Sequence, residues 1–170
     1  MTFLKNKDEG DVGELLFSSR MISHGITSTR QKGKLIDYDV ISEIDGITFT
    51  TEVKNDLFSK KSGNIAIEFY NTRKAQPSGI AATKANLWCH IIKSKEDKDI
   101  LLLTSVIKLK QFVDIEKPLK TIGAGGDGNA ALQIYTIEHI STIFIDITNQ
   151  TTEQLKSTIM ELLNDTNHRV

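Results

Sequence analysis

Three residues have the types and spacing to do chemistry together: Asp39, Glu52 and Lys54. Glu52-Val53-Lys54 ends an apolar and β-branched run, Ile47-Thr48-Phe49-Thr50-Thr51, that reads as a strand. Side chains alternate along a strand, so Glu52 and Lys54 share one face while Phe49, Thr51 and Val53 turn to the other, into a core. The preceding run, Asp39-Val40-Ile41-Ser42-Glu43-Ile44, leads into Asp45-Gly46, a dipeptide suited to a tight hairpin. A hairpin turning at 45–46 sets Asp39 roughly opposite Glu52. Two carboxylates and an ammonium at the open end of a hairpin suit phosphodiester hydrolysis. The carboxylates would bind one or two Mg²⁺ ions through oxygen, and the metal would activate water. The lysine would orient that water or neutralise the transition state.

The acid-x-Lys triplet alone is weak evidence. Glu96-Asp97-Lys98 is a second copy, but it lies in a solvated run without a strand pattern and is set aside as surface. Asp37 has the same strand parity as Asp39 and competes for its place. Asp39 is favoured because Val40-Ile41 continues directly into the strand.

The elements that must position these residues can be read along the chain. Asp8 to His24 reads as a helix with Val12, Leu15, Leu16 and Ser19 on one face, Phe17 and Met21 beside it, and Gly25 as its stop. A polar connector follows from Thr27 to Lys34. After the hairpin, a third strand is expected at Asn64 to Tyr70 and a turn at Gln76 to Gly79. A helix should begin near Ile80 and run through Leu87, with Trp88 to Ile92 as its end or a further strand. Then come a buried strand at 100–104, a short helix at Val106 to Val113, a glycine-rich loop at Gly123–Gly128, strands at 131–137 and 142–147, and a helix from Thr151 or Thr152 to Leu163.

Composition sets broad bounds. The chain has 170 residues, a net charge of −1, 39% hydrophobic and 25% charged residues. These values predict a single domain over 1–170, and the order of helices and strands predicts α/β (α+β) architecture around a central mixed sheet flanked by helices. No apolar run is long enough to span a bilayer, and Met1 to Lys7 holds no signal-peptide core, so an intracellular, cytoplasmic location without membrane partners is expected. The single cysteine, Cys89, excludes an internal disulfide and a cysteine-rich zinc site. Trp88 and Cys89 read as core. The near-neutral charge argues against a uniformly basic DNA-binding surface. Basic residues nevertheless cluster on either side of the acids: Arg20, Arg30, Lys32 and Lys34 before, and Lys60, Lys61, Arg73, Lys74 and Lys84 after.

Asp39 with Glu52-Val53-Lys54 resembles the PD-(D/E)xK nuclease superfamily, which includes restriction endonucleases and Holliday junction resolvases. Gly13-Glu14-Leu15-Leu16 looks like the N-terminal helix of the resolvases, which often adds an acid to the metal site. The stretch Gly63 to Phe69, with Ser78-Gly79-Ile80 and Thr83 to Trp88, is similar to small phage and bacterial members. The resemblance covers residues 8 to about 93, and the name-giving proline is replaced by Tyr38. It implies a restriction-endonuclease-like αβββαβ core and a Mg²⁺-dependent deoxyribonuclease, with Mn²⁺ able to substitute. The expected role is endonucleolytic, on duplex or branched DNA, in repair, recombination or restriction, with a homodimer among the expected states. It also implies metal ligation by Asp39 and Glu52, with Glu14 as an extra ligand. Asp37 and Glu68 are auxiliary candidates, and Lys84 and Ser78 are candidates for DNA contact. For each of these the alternative is an ordinary surface acid, surface lysine or plain turn. The alternative function is a binding module for nucleic acid or protein that keeps the fold without catalysis.

Overall fold

A computed structural model describes residues 2–31, 37–123 and 129–167, with backbone alone for 2–9, 166 and 167. The elements run α1 (Thr2–Ser23), β1 (Thr27–Arg30), β2 (Val40–Ile44), β3 (Ile47–Asp56), α2 (Ser59–Ser62), β4 (Asn64–Asn71), β5 (Gln76–Pro77), a 3₁₀ turn (Gly79–Ala81), β6 (Leu87–Lys93), β7 (Asp99–Ser105), α3 (Val106–Ile115), β8 (Lys120–Ile122), β9 (Ala130–Thr136), α4 (Ile137–Ile140), a second 3₁₀ turn (Ser141–Ile143), β10 (Ile145–Asp146) and α5 (Thr152–Asn167). The expected α+β class holds: a six-stranded sheet, β1-β2-β3-β6-β7-β10, is flanked by helices. It is mixed, because β3 and β6 are parallel and the other pairs antiparallel. A second sheet, β5-β4-β9-β8, covers part of one face.

The hairpin forms as its sequence demands. Asp45 and Gly46 both adopt positive φ, 49° and 82°, which suits a two-residue turn whose twist matches the strands. Ile44 then pairs with Ile47 and Val40 with Thr51. Phe49, Thr51 and Val53 are buried on one face of β3, and Glu52 and Lys54 point to the other. One core, with Phe17, Met21, Val53, Cys89 and Leu155, joins the sheet to α1 and α5. The other, with Ile65, Ile67, Trp88, Leu109 and Tyr135, joins it to the second sheet and α3. The site residues therefore lie on the side facing the second sheet.

Four expectations fail, each for a tertiary reason. The connector after α1 begins with a strand, β1. It is an edge strand of alternating exposed and half-buried residues, so no apolar pattern marks it. The three strands following α1 in the main sheet are therefore β1, β2 and β3, while the expected third strand at 64–70 is β4 of the second sheet. The helix expected from Ile80 to Leu87 is absent, and its αβββαβ slot is a 3₁₀ turn followed by extended chain. There, Lys84 N–H donates to Asp37 O and Asn86 N–H to Thr50 O, so partners across the fold take amides that a helix would use internally. Trp88 to Ile92 is a central strand buried on both faces. The strand at 142–147 shrinks to Ile145–Asp146 behind α4, whose Thr136 cap accepts from His139 N–H.

The buried face of α1 also differs from the expected one. Gly13, Phe17, Ser18 and Met21 face inward, whereas Val12 and Leu15 stay more than half exposed. The cause is Gly13, where the helix meets β3 so closely that a Cβ would lie 2.8 Å from Asn55 Cβ. Gly25 does end the helix, at φ 71°, with Ile26 N–H donating to Met21 O and Gly25 N–H to Ile22 O. Gly13→Ala is expected to lower stability by about 1 kcal/mol. Overpacking costs about 1–3 kcal/mol, and the better helix propensity of alanine returns about 1 kcal/mol. A thermal melt should show a drop of about 2–4 °C.

Lys32, Lys34 and the loop residues 124–128 lie outside the described residues. Among those described, no helix is long and apolar enough to cross a membrane.

Candidate active site

Asp39 lies one register step beyond the Val40–Thr51 pair, opposite Glu52. Its backbone is clamped on both sides: Asp39 N–H donates to Thr51 O at 3.1 Å, and Gln31 N–H donates to Asp39 O at 2.8 Å. Its carboxylate accepts Val53 N–H at 2.8 Å. Glu52 Oε1 meets Lys54 Nζ at 2.6 Å, and Glu52 Oε2 accepts from Thr83 Oγ1 at 3.2 Å. The Glu52 side chain is only 12% exposed and that of Lys54 33%. The structure thus brings Asp39, Glu52 and Lys54 together on the sheet face predicted from strand parity.

Their electrostatics follow from crowding. Burial, and then the neighbouring Glu52 charge, push the Asp39 carboxyl up to about 6, against the opposing pull of Lys54 and the Val53 hydrogen bond. Burial works against the Lys54 ammonium, but Glu52 and Asp39 outweigh it, so its pKa is raised. An ammonium held this firmly is a fixed positive charge with N–H donors and a poor proton acceptor.

The auxiliary candidates divide. Glu14 is near enough for its charge to act on Asp39, but its carboxylate accepts from Arg30 Nε at 3.1 Å, and Arg30 also pairs with Asp11. Glu68 lines a cleft of about 190 Å³ with Lys54, Asp56 and His90, and its charge also stabilises the Lys54 ammonium. Asp37 lines a cleft with Glu52, but its carboxylate pairs with Lys84 Nζ at 2.9 Å and its carbonyl accepts from Lys84 N–H. Lys84 is therefore engaged with an acid rather than free. Ser78 borders a second cleft, of about 230 Å³, with Asp37, Glu52 and Thr83, but its N–H already donates to Phe69 O. Among the described residues no three acid, histidine or cysteine side chains stand ready as a metal cluster.

Sequence reading missed two supports. Thr83, buried in the extended stretch after the 3₁₀ turn, aims its hydroxyl at Glu52. Asp56, His90 and Trp88 form a buried chain beside Lys54. Trp88 Nε1–H donates to His90 Nδ1 at 3.3 Å, and His90 Nε2 faces Asp56 Oδ2 at 3.4 Å. Since the indole only donates, the imidazole proton sits on Nε2, toward Asp56. Burial pushes the Asp56 carboxyl up, but the His90 contact together with the Ala66 and Phe58 N–H bonds outweighs it and holds its pKa below the ordinary value. Asp56 also accepts from Phe58, Ser59 and Ala66 N–H, tying the turn after β3 to the second sheet. The parity series 52, 54, 56 was visible in the sequence, but His90 reaches Lys54 only through the parallel pairing of β3 with β6. Trp88 is core as expected, with Lys54 Nζ 5.8 Å from its ring centroid. Cys89 lies in the opposite core, where burial raises its thiol pKa and leaves it inert. A larger depression of about 480 Å³ beside the start of α5 is lined by amides, hydroxyls and Asp146, without an acid–lysine pair.

No family model and no curated protein sequence matches this chain. Among solved structures it is similar to a bacterial homing endonuclease, I-Ssp6803I, at 18% identity and a TM-score of 0.45, over 61% of this chain and 68% of that one. At that overlap the functional reading stands on the site's own geometry.

Proposed function

We propose that this chain is a divalent-metal-dependent DNA nuclease of the PD-(D/E)xK type, acting as an endonuclease in repair, recombination or restriction. The observation that carries the reading is the convergence of Asp39, Glu52 and Lys54 at the open end of the β2–β3 hairpin, with Asp39 pushed up to about 6 by burial and by Glu52. Two crowded, partly buried carboxylates suit a hard cation, because all the donors are oxygen and a positive ion relieves their repulsion. Asp39 and Glu52 would hold Mg²⁺ or Mn²⁺, with water and substrate oxygens completing the shell. Glu14 would join by sharing its carboxylate with Arg30, which engages Oε2 alone. The bound ion would supply Lewis acidity and a more acidic water.

The chain's own groups do the rest. Val53 N–H and Thr83 Oγ1 hold the two carboxylates in place. Lys54 presents N–H donors and fixed positive charge to the phosphoryl oxygens, where negative charge grows in the transition state. Trp88 supports the Lys54 ammonium from below.

The test is cleavage of a panel of duplex, branched and single-stranded DNAs with Mg²⁺, Mn²⁺ or EDTA. Cuts that require metal support the reading. Binding without cleavage in any metal would replace it with the non-catalytic module.

Asp39→Asn gives a second check, with opposite signs for activity and stability. It should abolish cleavage yet stabilise the metal-free fold by about 1–3 kcal/mol at pH 8, because the amide still accepts from Val53 N–H and no longer opposes Glu52. The folded pKa of Asp39 is raised, so the cost of ionising it grows as pH climbs from 3.8 to about 6 and is absent below that range. The stability gain in EDTA should therefore vanish near pH 4, as read by thermal melts across pH.

A further inference from the structure

The second sheet has one face packed on the main sheet and one open. Ile65 and Ile67 are buried on the packed side. On the open side two cross-strand rows stand in register: Ala66, Ile134 and Lys120, then Glu68, Leu132 and Ile122. This open face floors a largely apolar groove of about 370 Å³, with Phe58 on its wall. Phe58 is 76% exposed, although it is a large aromatic side chain on a turn that Asp56 holds rigidly. Exposed Lys120 stands on the rim, and exposed Lys61 adjoins the lining residue Ser62.

The groove is continuous with the candidate active site. Asp56, Phe58, Ala66 and Leu132 line both it and the cleft that holds Lys54 and Glu68. The two form one trough, acidic at the Glu68 end and apolar with a lysine rim at the other. A strand whose phosphate sits beside Glu52 and Lys54 would carry its neighbouring nucleotide onto this floor. The chemistry there suits a flat π-face and a backbone phosphate: an aromatic edge, aliphatic floor and ammonium rim. A base stacked within a duplex cannot reach it, so the base must be unpaired.

We propose that the open face of the second sheet, with Phe58 at its wall, seats an unpaired nucleobase next to the phosphate held at Glu52 and Lys54. The preferred substrate then has single-stranded or unstacked nucleotides beside the scissile bond. This rests on the nuclease reading but is separable from it.

Anisotropy of labelled oligodeoxynucleotides in Ca²⁺ tests the seat, comparing a single strand with a blunt duplex of the same sequence. The wild-type protein should prefer the single strand. Phe58→Ala should weaken single-strand binding about tenfold, with duplex binding changed less than about twofold, and Phe58→Trp should restore it. A 2-aminopurine in the strand should change its fluorescence on binding to wild type and much less on binding to Phe58→Ala. Equal weakening of both DNAs, or none, overturns the seat. A wild-type dimer in sedimentation that Phe58→Ala converts to monomer also overturns it, and assigns the face to self-association. If Phe58→Ala cuts with unaltered substrate preference while cleavage still needs metal, the seat fails and the nuclease reading stands. If wild type cuts nothing in any metal, the nuclease reading fails, and the seat is overturned separately if wild type and Phe58→Ala bind single strands equally.

Discussion

Replacing Glu52 with glutamine is expected to reduce metal-dependent DNA cleavage on the order of 10³-fold while leaving the protein folded. Glutamine keeps the length of the side chain and can still accept from Thr83 Oγ1, which now approaches Glu52 Oε2 at 3.2 Å. What it loses is the negative charge that would bind a cation and that faces Lys54 Nζ at 2.6 Å. Lys54→Met should cost on the order of 10²–10³-fold by removing the ammonium that faces growing phosphoryl charge. It also strands the partly buried Glu52 carboxylate, so its thermal melt should fall by more than that of Glu52→Gln. The double variant should be little worse in rate than Glu52→Gln alone, because groups acting on one transition state are not additive. Cleavage by both single variants at wild-type rates with EDTA present would overturn the mechanism.

Gly79→Ala should be among the most damaging single-methyl additions in this protein. Gly79 sits at φ 51°, in the left-handed region, and a Cβ there would come within 2.2 Å of the Glu68 carbonyl oxygen. Backbone strain and overlap with a carbonyl add up to about 3–5 kcal/mol, a melting drop of about 10 °C. Gly25→Ala is the control. Gly25 also has positive φ, 71°, but nothing lies within 4 Å of its would-be Cβ, so about 1 kcal/mol is expected. The difference has a functional side. Gly79 seats the 3₁₀ turn on β4, and the chain leaving that turn delivers Thr83 to Glu52. Gly79→Ala should therefore lower cleavage even below its melting temperature, and Gly25→Ala should not. Similar activity loss in both would remove Gly79 from the site's support.

Local pattern was enough for the heart of the candidate site. Strand parity put Glu52 and Lys54 on one face, and Asp45-Gly46 set the turn that brings Asp39 opposite Glu52. Each of those rules acts within about fifteen residues and is carried by backbone geometry that side chains only permit or forbid. The choice of acid followed the same logic: Asp39 borders the strand opposite Glu52, whereas the Asp37 carboxylate pairs with Lys84. Glu14 was placed near the site by its helix, but the Arg30 side chain that engages it comes from an edge strand with no apolar signature.

Long-range pairing decided what local pattern left open. Residues 80 to 87 have helix-forming composition, yet Asp37 and Thr50 take the amides of Lys84 and Asn86, and extended chain wins. The stripe of Val12 and Leu15 looked like the inner face of α1, but the contact of Gly13 with β3 rotates it outward. His90, Thr83 and the open face of the second sheet reach the site through pairings between segments far apart in sequence. By itself, then, the sequence determined the acid–lysine constellation and the hairpin that assembles it, because turn chemistry and side-chain alternation are local. Only the tertiary structure decided which residues brace that constellation and what surface adjoins it, because backbone partners supplied across the fold override local propensity.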